Sequence, residues 1–170
     1  MPKVRSRIHR RGLVNVALAL TLGAVSTLML GSVASAATPI VHKVSAGGPD
    51  ACAGIGAKPG CDSNYSLTAI EYADGSVSGN LTDRFTRGFG VHADIDCLAV
   101  EGDRAWASGV ITSGFLAGLY ILTSVQDSGT SANDLPDQIS RSMFDPEPLD
   151  CTTQPDVELL DAPQGQVIVR

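Results

Sequence analysis

Apolar and polar residues alternate along much of the chain after Tyr65. The alternation is most regular in Phe89–Val100, where every second residue from Phe89 to Cys97 is apolar or cysteine. A period of two is typical of a strand with one buried face. On this pattern we predict strands at Ser66–Tyr72, Ser76–Phe85, Phe89–Val100, Arg104–Thr112, Phe115–Gln126, Gln138–Phe144 and Gln166–Val169, with a short one at Ile40–Val44.

Tight turns separate several of these strands. Asp74-Gly75 suits a type I′ hairpin turn because both residues tolerate positive φ, and Glu101-Gly102-Asp103 marks another turn. Phe115–Gln126 is apolar on both faces, which indicates a central strand that is covered on each side. A helix is the alternative for this stretch, and Gly118 argues against it.

The succession of strands predicts an all-β fold, a single antiparallel meander of about seven or eight strands. Short connections between neighbouring strands favour a barrel over a sandwich. Residues 65–170 form this domain, and residues 37–64, which are rich in Gly, Pro and Ala, form an irregular segment before it.

The N-terminal residues have the three parts of a secretory signal peptide. A start with five basic residues precedes the apolar run Leu13–Leu30, and Ala34-Ser35-Ala36 then provides small residues for cleavage before Ala37. A retained membrane anchor is the alternative, but a cleavage site directly follows the run. Arg10-Arg11 also suggests export by the twin-arginine pathway, although the residues that flank the pair match that signal poorly. We predict that residues 1–36 are removed and that the protein is secreted.

Cleavage makes the chain strongly acidic. Five of the 12 basic residues and none of the 18 acidic residues precede Ala37, so the net charge changes from −6 to −11. A surface this acidic repels phosphate backbones and anionic lipids, which excludes nucleic acid as a partner. We expect no membrane span after cleavage, because Phe115–Val125 is the longest apolar stretch and is too short.

All four cysteines follow the predicted cleavage site. An even number in an oxidising compartment indicates two disulfides. Three pairings exist, and we favour Cys52–Cys61 with Cys97–Cys151. A zinc site is the rival interpretation, but the sequence has no Cys-x-x-Cys spacing.

The loop between the fifth and sixth long strands contains hard oxygen ligands that suit calcium. These residues are Asp127, Asn133, Asp134 and Asp137. Their spacing is not that of an EF-hand. A solvated turn, in which Asp and Asn side chains bond their own backbone, is the favoured alternative.

His92, Asp94 and Asp96 share one face of their predicted strand. They suit metal binding or acid–base chemistry, although such a stripe is more often the wet face of a sheet. The sequence has no Gly-x-Ser-x-Gly nucleophile motif, and an acidic pair for glycoside cleavage is a weaker hypothesis.

Four aromatic residues are candidates for the lining of a ligand cavity inside a barrel. They are Phe89, Trp106, Phe115 and Tyr120. Ordinary core packing is the more common role of such residues.

Several motifs together resemble a group of uncharacterised secreted bacterial β-domains. The motifs are Asp74-Gly75-Ser76-Val77-Ser78-Gly79, Val91-His92, Cys97-Leu98-Ala99-Val100-Glu101-Gly102-Asp103-Arg104-Ala105, Ser108-Gly109-Val110-Ile111, and Val125-Gln126-Asp127-Ser128-Gly129 followed by Asp134. The resemblance covers about Ser66 to Ser140 and implies a secreted β-fold without an established activity. Thr130 departs from the acidic residue that the group often has there, which weakens a cation role for the loop.

From the sequence we expect a non-enzymatic secreted domain that acts by binding or by structure in the cell envelope or medium, with an envelope or extracellular partner and no cofactor other than calcium. A lipocalin-like barrel for a small ligand is one alternative. A secreted hydrolase that uses His92 or an acidic pair is another.

Overall fold

The computed structural model of the chain describes residues 37–48, 64–84, 89–131, 133–162 and 165–170. The chain divides into two units, Met1–Ser35 and Ala36–Arg170, and the described residues belong to the second. The predicted signal peptide and the predicted Cys52–Cys61 pair lie outside the described residues. Within the described ranges, no helix has the length and apolar character that a membrane crossing needs.

The described residues are organised as ten strands and one short 3-10 helix at Cys151–Thr153. The strands are β1 (Ile40–Gly48), β2 (Asn64–Tyr72), β3 (Val77–Arg84), β4 (Gly90–Glu101), β5 (Arg104–Gly114), β6 (Tyr120–Gln126), β7 (Gln138–Ser140), β8 (Met143–Asp145), β9 (Leu159–Asp161) and β10 (Gln166–Val169). β1 is longer than the predicted strand Ile40–Val44. It lies within residues 37–64, the segment that we otherwise expected to be irregular.

All the strands belong to one antiparallel sheet in the order β10-β1-β2-β3-β4-β5-β6-β7-β9, with β8 beside β6. The sheet is curled into a half-barrel, which confirms the all-β antiparallel prediction. The strand number was underestimated for two reasons. Gln138–Phe144 forms two short strands, β7 and β8, instead of one, and the proline-containing stretch after Asp145 includes β9.

The Asp74-Gly75 hairpin has a different turn from the one predicted. Gly75 has φ of 81°, whereas Asp74 is not among the residues with positive φ, so the turn is not type I′. The Tyr72 carbonyl accepts from the Gly75 N–H at 2.9 Å. The turn is closed by Asp74, whose Oδ1 accepts from the Ser76 hydroxyl at 2.6 Å. This hydrogen bond lowers the pKa of Asp74.

The stretch predicted as the strand Phe115–Gln126 begins with a turn. Residues 115–119 connect β5 to β6, and Gly114 and Gly118 adopt φ of 103° and 94° there. Glycine is the residue that tolerates such angles, so the strand starts only at Tyr120. The five residues Ile121–Val125 are all buried, which confirms that this strand is covered on both faces.

The interior of the half-barrel is filled by one apolar cluster contributed by most of the strands. Two polar contacts also join side chains that are distant in the sequence: Tyr65 and Thr123 share a hydrogen bond of 3.1 Å, and the Ser142 hydroxyl donates to Asp83 Oδ2 at 2.8 Å. Both hydrogen bonds connect residues on opposite halves of the meander, so they tie its two halves together.

A second, smaller apolar cluster lies on the outer face of the sheet. Its buried residues are Trp106, Leu122 and Cys151. Cys151 belongs to residues 149–157, which we name the strap and which cover Trp106 and Leu122. The predicted Cys97–Cys151 disulfide fixes the strap to β4.

The side of the sheet predicted for Cys97 was wrong. A register shift between Ile95 and Cys97 inserts Asp96 as an extra residue in the β4–β5 pairing. Such a bulge changes the face on which the following residues lie. Ile95 therefore belongs to the interior cluster and Cys97 packs against the outer one.

Candidate functional site

The acidic loop, residues 127–137, connects β6 to β7 and makes side-chain contacts with β10 at the opposite end of the strand order. Asp127 Oδ2 accepts from the Val169 N–H at 3.1 Å. Asp137 Oδ2 accepts from the Val167 N–H, at 2.6 Å. We name Asp127 and Asp137 the carboxylate latch, because the two carboxylates satisfy backbone donors on β10, which pairs with β1 alone among the described strands.

Both latch residues use their second oxygen within their own loop. Asp137 Oδ1 accepts from the Ser128 N–H at 2.8 Å, and Asp127 Oδ1 accepts from the Gly129 N–H at 3.0 Å. Asp137 is 8% exposed, so its two hydrogen bonds replace nearly all of its contact with water. The latch thus has a structural role that its residue types alone do not reveal.

The other two predicted calcium ligands are exposed, and both residues take part in hydrogen bonds within the loop. Asp134 Oδ2 accepts from the Ser131 N–H at 2.7 Å, and the Asn133 N–H donates to the Ser131 hydroxyl at 3.3 Å. In the part of the chain that the structure describes, no group of three or more His, Cys, Asp or Glu side chains is placed to hold a metal ion.

A groove of about 490 Å³ lies between the acidic loop and the start of β10. Polar groups of Thr130, Ser131, Asp134 and Gln166 line it, together with the apolar Leu135 and Ala162. Its volume lies in the range of small-molecule sites, but its lining is more polar than is usual for them.

The predicted stripe of His92, Asp94 and Asp96 is exposed on the outer face of β4. The closest side-chain partner of the imidazole is Thr82, whose Oγ1 lies 2.9 Å from His92 Nδ1. The Thr112 hydroxyl donates to the His92 carbonyl at 3.3 Å. The stripe therefore has the character of the solvent-exposed face of an antiparallel sheet.

All four aromatic residues proposed as cavity lining lie elsewhere than in the interior cluster. Phe89 and Phe115 are each 59% exposed and stack edge to face, with ring centroids 6.1 Å apart. Trp106 is buried on the outer face beneath the strap, and Tyr120 is half-buried at the start of β6. The paired phenylalanines, which flank the facing strand ends Gly90 and Gly114, could not be recognised from alternation alone.

The strap is held by side chains that sequence analysis did not single out. Ser108 donates to the Leu149 carbonyl at 2.6 Å, Trp106 Nε1 to the Pro155 carbonyl at 3.0 Å, and Arg104 Nη2 to the Val157 carbonyl at 3.1 Å. The Arg104 guanidinium also lies over the Trp106 ring at 4.7 Å from its centroid, a cation–π contact. The signal for these contacts in the sequence was the spacing of Arg104, Trp106 and Ser108, which occupy alternate positions of one strand.

Comparison of the chain with protein-family models, with curated proteins and with solved structures finds no match. The resemblance to secreted bacterial β-domains therefore stays a hypothesis that rests on the motifs alone.

Proposed function

We propose that this protein is a secreted, non-enzymatic binding domain that acts in the cell envelope or medium and contacts its partner through Phe89 and Phe115. The observation that carries the proposal is the exposure of this pair, because only four phenylalanines occur in the chain and two of them lie together at the surface. Covering a phenylalanine ring is worth about 2 kcal/mol. Adjacent exposed aromatic rings are typical of a surface that a partner covers.

The chemistry around the pair favours an uncharged partner. The domain predicted to remain after cleavage is strongly acidic, so anionic polymers and anionic lipids are repelled at long range. Aromatic rings offer apolar faces without a charge requirement. An envelope polysaccharide or another neutral surface with apolar patches fits both conditions.

Two alternatives from the sequence receive less support. The lipocalin-like alternative needs an empty interior, whereas apolar side chains and the Tyr65–Thr123 hydrogen bond occupy that space. The hydrolase alternative needs a histidine or an acidic pair at a site that orients a substrate, whereas His92 is exposed on an open sheet face beside Thr82.

Replacing Phe89 and Phe115 with alanine is expected to weaken binding about a hundredfold, because two rings lose their contacts and each contact is worth at least roughly a tenfold change. The measurement is co-sedimentation of the mature protein with insoluble cellulose or chitin, and flotation with neutral phosphatidylcholine vesicles. Leu135→Ala is the matched control, because Leu135 is 80% exposed at a distant loop.

The wild type and the Leu135→Ala variant are expected to bind the same probe equally well. Both phenylalanines are exposed, so the double variant should keep the melting temperature of the wild type. Retention of full affinity by the double variant, or absence of binding to every probe, would contradict the proposal.

We further propose that the acidic loop serves the fold and does not require calcium. The four carboxylate oxygens of Asp127 and Asp137 each already accept a backbone N–H, so a calcium ion there would compete with these hydrogen bonds. Adding millimolar calcium to the chelator-treated protein is therefore expected to leave its melting temperature unchanged in calorimetry. A rise that saturates with calcium and is lost in Asp134→Asn would instead establish the cation site predicted from the sequence.

A further inference from the structure

The groove between the acidic loop and β10 is lined by polar side chains that can accept hydrogen bonds. They belong to Thr130, Ser131, Asp134 and Gln166. Hydroxyl, amide and carboxylate groups all have acceptor oxygens, whereas Lys and Arg side chains can only donate. Among the described residues that line the groove, none has a basic side chain. The lining is therefore complementary to a ligand that donates hydrogen bonds.

The carboxylate of Asp134 is held in one orientation by its own loop. Its Oδ2 accepts from the Ser131 N–H at 2.7 Å, and the Asp134 N–H donates to the Ser131 carbonyl at 3.0 Å. The carboxylate lies against Gly129, where φ is 110° and a Cβ atom would overlap Asp134 Oδ2. Only glycine fits at such a position. Asp134 is thus oriented before a ligand arrives, which lowers the cost of ordering the site on binding, and its Oδ1 stays available as an acceptor.

The groove also has a negative electrostatic field. Asp137 lines it at 8% exposure, and both of its oxygens accept backbone N–H groups. It therefore contributes the charge of a buried carboxylate, while Asp134 contributes both a charge and an acceptor. The chain as a whole has 18 acidic and 12 basic residues. Such a field attracts cations and raises their local concentration.

The size and the apolar part of the groove favour an organic cation over an inorganic one. Leu135, Pro136 and Ala162 belong to the lining, and Leu135 is 80% exposed. A hydrocarbon chain that covered these side chains would remove apolar surface from water, which a bare ion does not do. The volume of about 490 Å³ also lies in the range of small-molecule sites, roughly 300–1,000 Å³.

We infer that the groove is a binding site for small aliphatic diamines. One ammonium group donates to the carboxylate of Asp134, and the hydrocarbon chain covers Leu135 and Ala162. The two positive charges of the ligand balance the charges of Asp134 and Asp137. The site is a different surface from Phe89 and Phe115 and takes a soluble ligand, so it stands independently of the proposed function.

A titration of the mature protein with butane-1,4-diamine tests the site. We expect saturable changes in the amide chemical shifts of the groove, observed by NMR at Thr130, Ser131, Asp134 and Gln166. Butane-1,4-diol has the same chain length without the charges and should leave these shifts unchanged at the same concentration. Sodium chloride at matched ionic strength controls for the screening of surface charges.

Asp134→Asn is expected to weaken diamine binding about tenfold or more, because a neutral amide replaces the charged acceptor of the ammonium group. The asparagine oxygen can still accept from the Ser131 N–H, so the loop keeps its conformation. Asp94→Asn is the matched control, since Asp94 is exposed on the outer face of β4 and its replacement removes the same charge. Its affinity for the diamine, measured by isothermal titration calorimetry, should stay within about twofold of the wild type.

Three results would overturn the site. Absence of saturable binding of butane-1,4-diamine would show that the groove holds no such ligand. Equal losses of affinity in Asp134→Asn and Asp94→Asn, or shift changes spread over the acidic surface, would show that the diamine is attracted only by net charge. Equal binding of the diol would show that the groove does not recognise the ammonium groups.

Discussion

Replacing Cys97 and Cys151 together with alanine is expected to lower the free energy of unfolding by about 4 kcal/mol. The two cysteines are 54 residues apart in the sequence, and a cross-link over such a distance removes much of the conformational entropy of the unfolded chain. Small domains have total stabilities of roughly 5–15 kcal/mol, so the variant should remain folded but become much easier to denature. Urea unfolding followed by circular dichroism measures the difference.

Reduction of the wild type provides the matched comparison, because it breaks the link without removing side-chain atoms. The double variant and the reduced wild type should unfold at nearly the same urea concentration if Cys97–Cys151 accounts for the whole effect. Reductant added to the double variant isolates any contribution from Cys52 and Cys61. A loss smaller than about 1 kcal/mol would contradict the prediction and would mean that native strain offsets the entropic gain.

The strand pattern was predictable because it depends on nearest neighbours along the chain. In β4 the buried Val91, Ala93 and Ile95 alternate with exposed residues, as the period of two requires. The same logic correctly identified β6 as buried on both faces. These features follow from local sequence, since a strand that is half-covered and one that is fully covered differ in composition.

The alternation pattern failed where pairing with the neighbouring strand β5 inserts an extra residue in β4. Asp96 is the extra residue at the register shift between Ile95 and Cys97, and its position depends on Gly109 of the neighbouring strand. A Cβ at Gly109 would overlap the Asp94 carbonyl oxygen, so only glycine allows the two backbones to approach there. Nothing within Phe89–Val100 itself indicates this approach.

The acidic loop shows the same limit for a candidate site. Its residue types suggested calcium ligands or a solvated turn, but they did not identify the hydrogen-bond partners of Asp127 and Asp137 in β10. The N–H groups that the latch accepts lie 42 residues after Asp127 and 30 residues after Asp137. The curvature of the sheet brings β10 towards the end of β6, and this makes the two carboxylates acceptors for the backbone of that strand.

Asp137→Asn is expected to destabilise the domain by about 3 kcal/mol, although the two side chains have nearly the same shape. Both carboxylate oxygens of Asp137 accept a backbone N–H, from Ser128 and from Val167. An asparagine has one oxygen and one NH2 group, so one of the two backbone donors would face another donor. The site is almost fully buried, and a donor without an acceptor there costs more than the lost hydrogen bond alone.

Asp134→Asn is the control for this prediction, because it removes the same charge from the same loop. Asp134 is exposed, and its carboxylate accepts a hydrogen bond from the Ser131 N–H, which an asparagine oxygen can still accept. Its effect on the free energy of unfolding should stay below about 1 kcal/mol. Equal losses in the two variants would mean that net charge of the loop, and not the latch, stabilises the fold. A large loss confined to Asp137→Asn, together with faster hydrogen exchange at Val167, would show that a carboxylate secures the edge of β10 that none of the described strands pairs with.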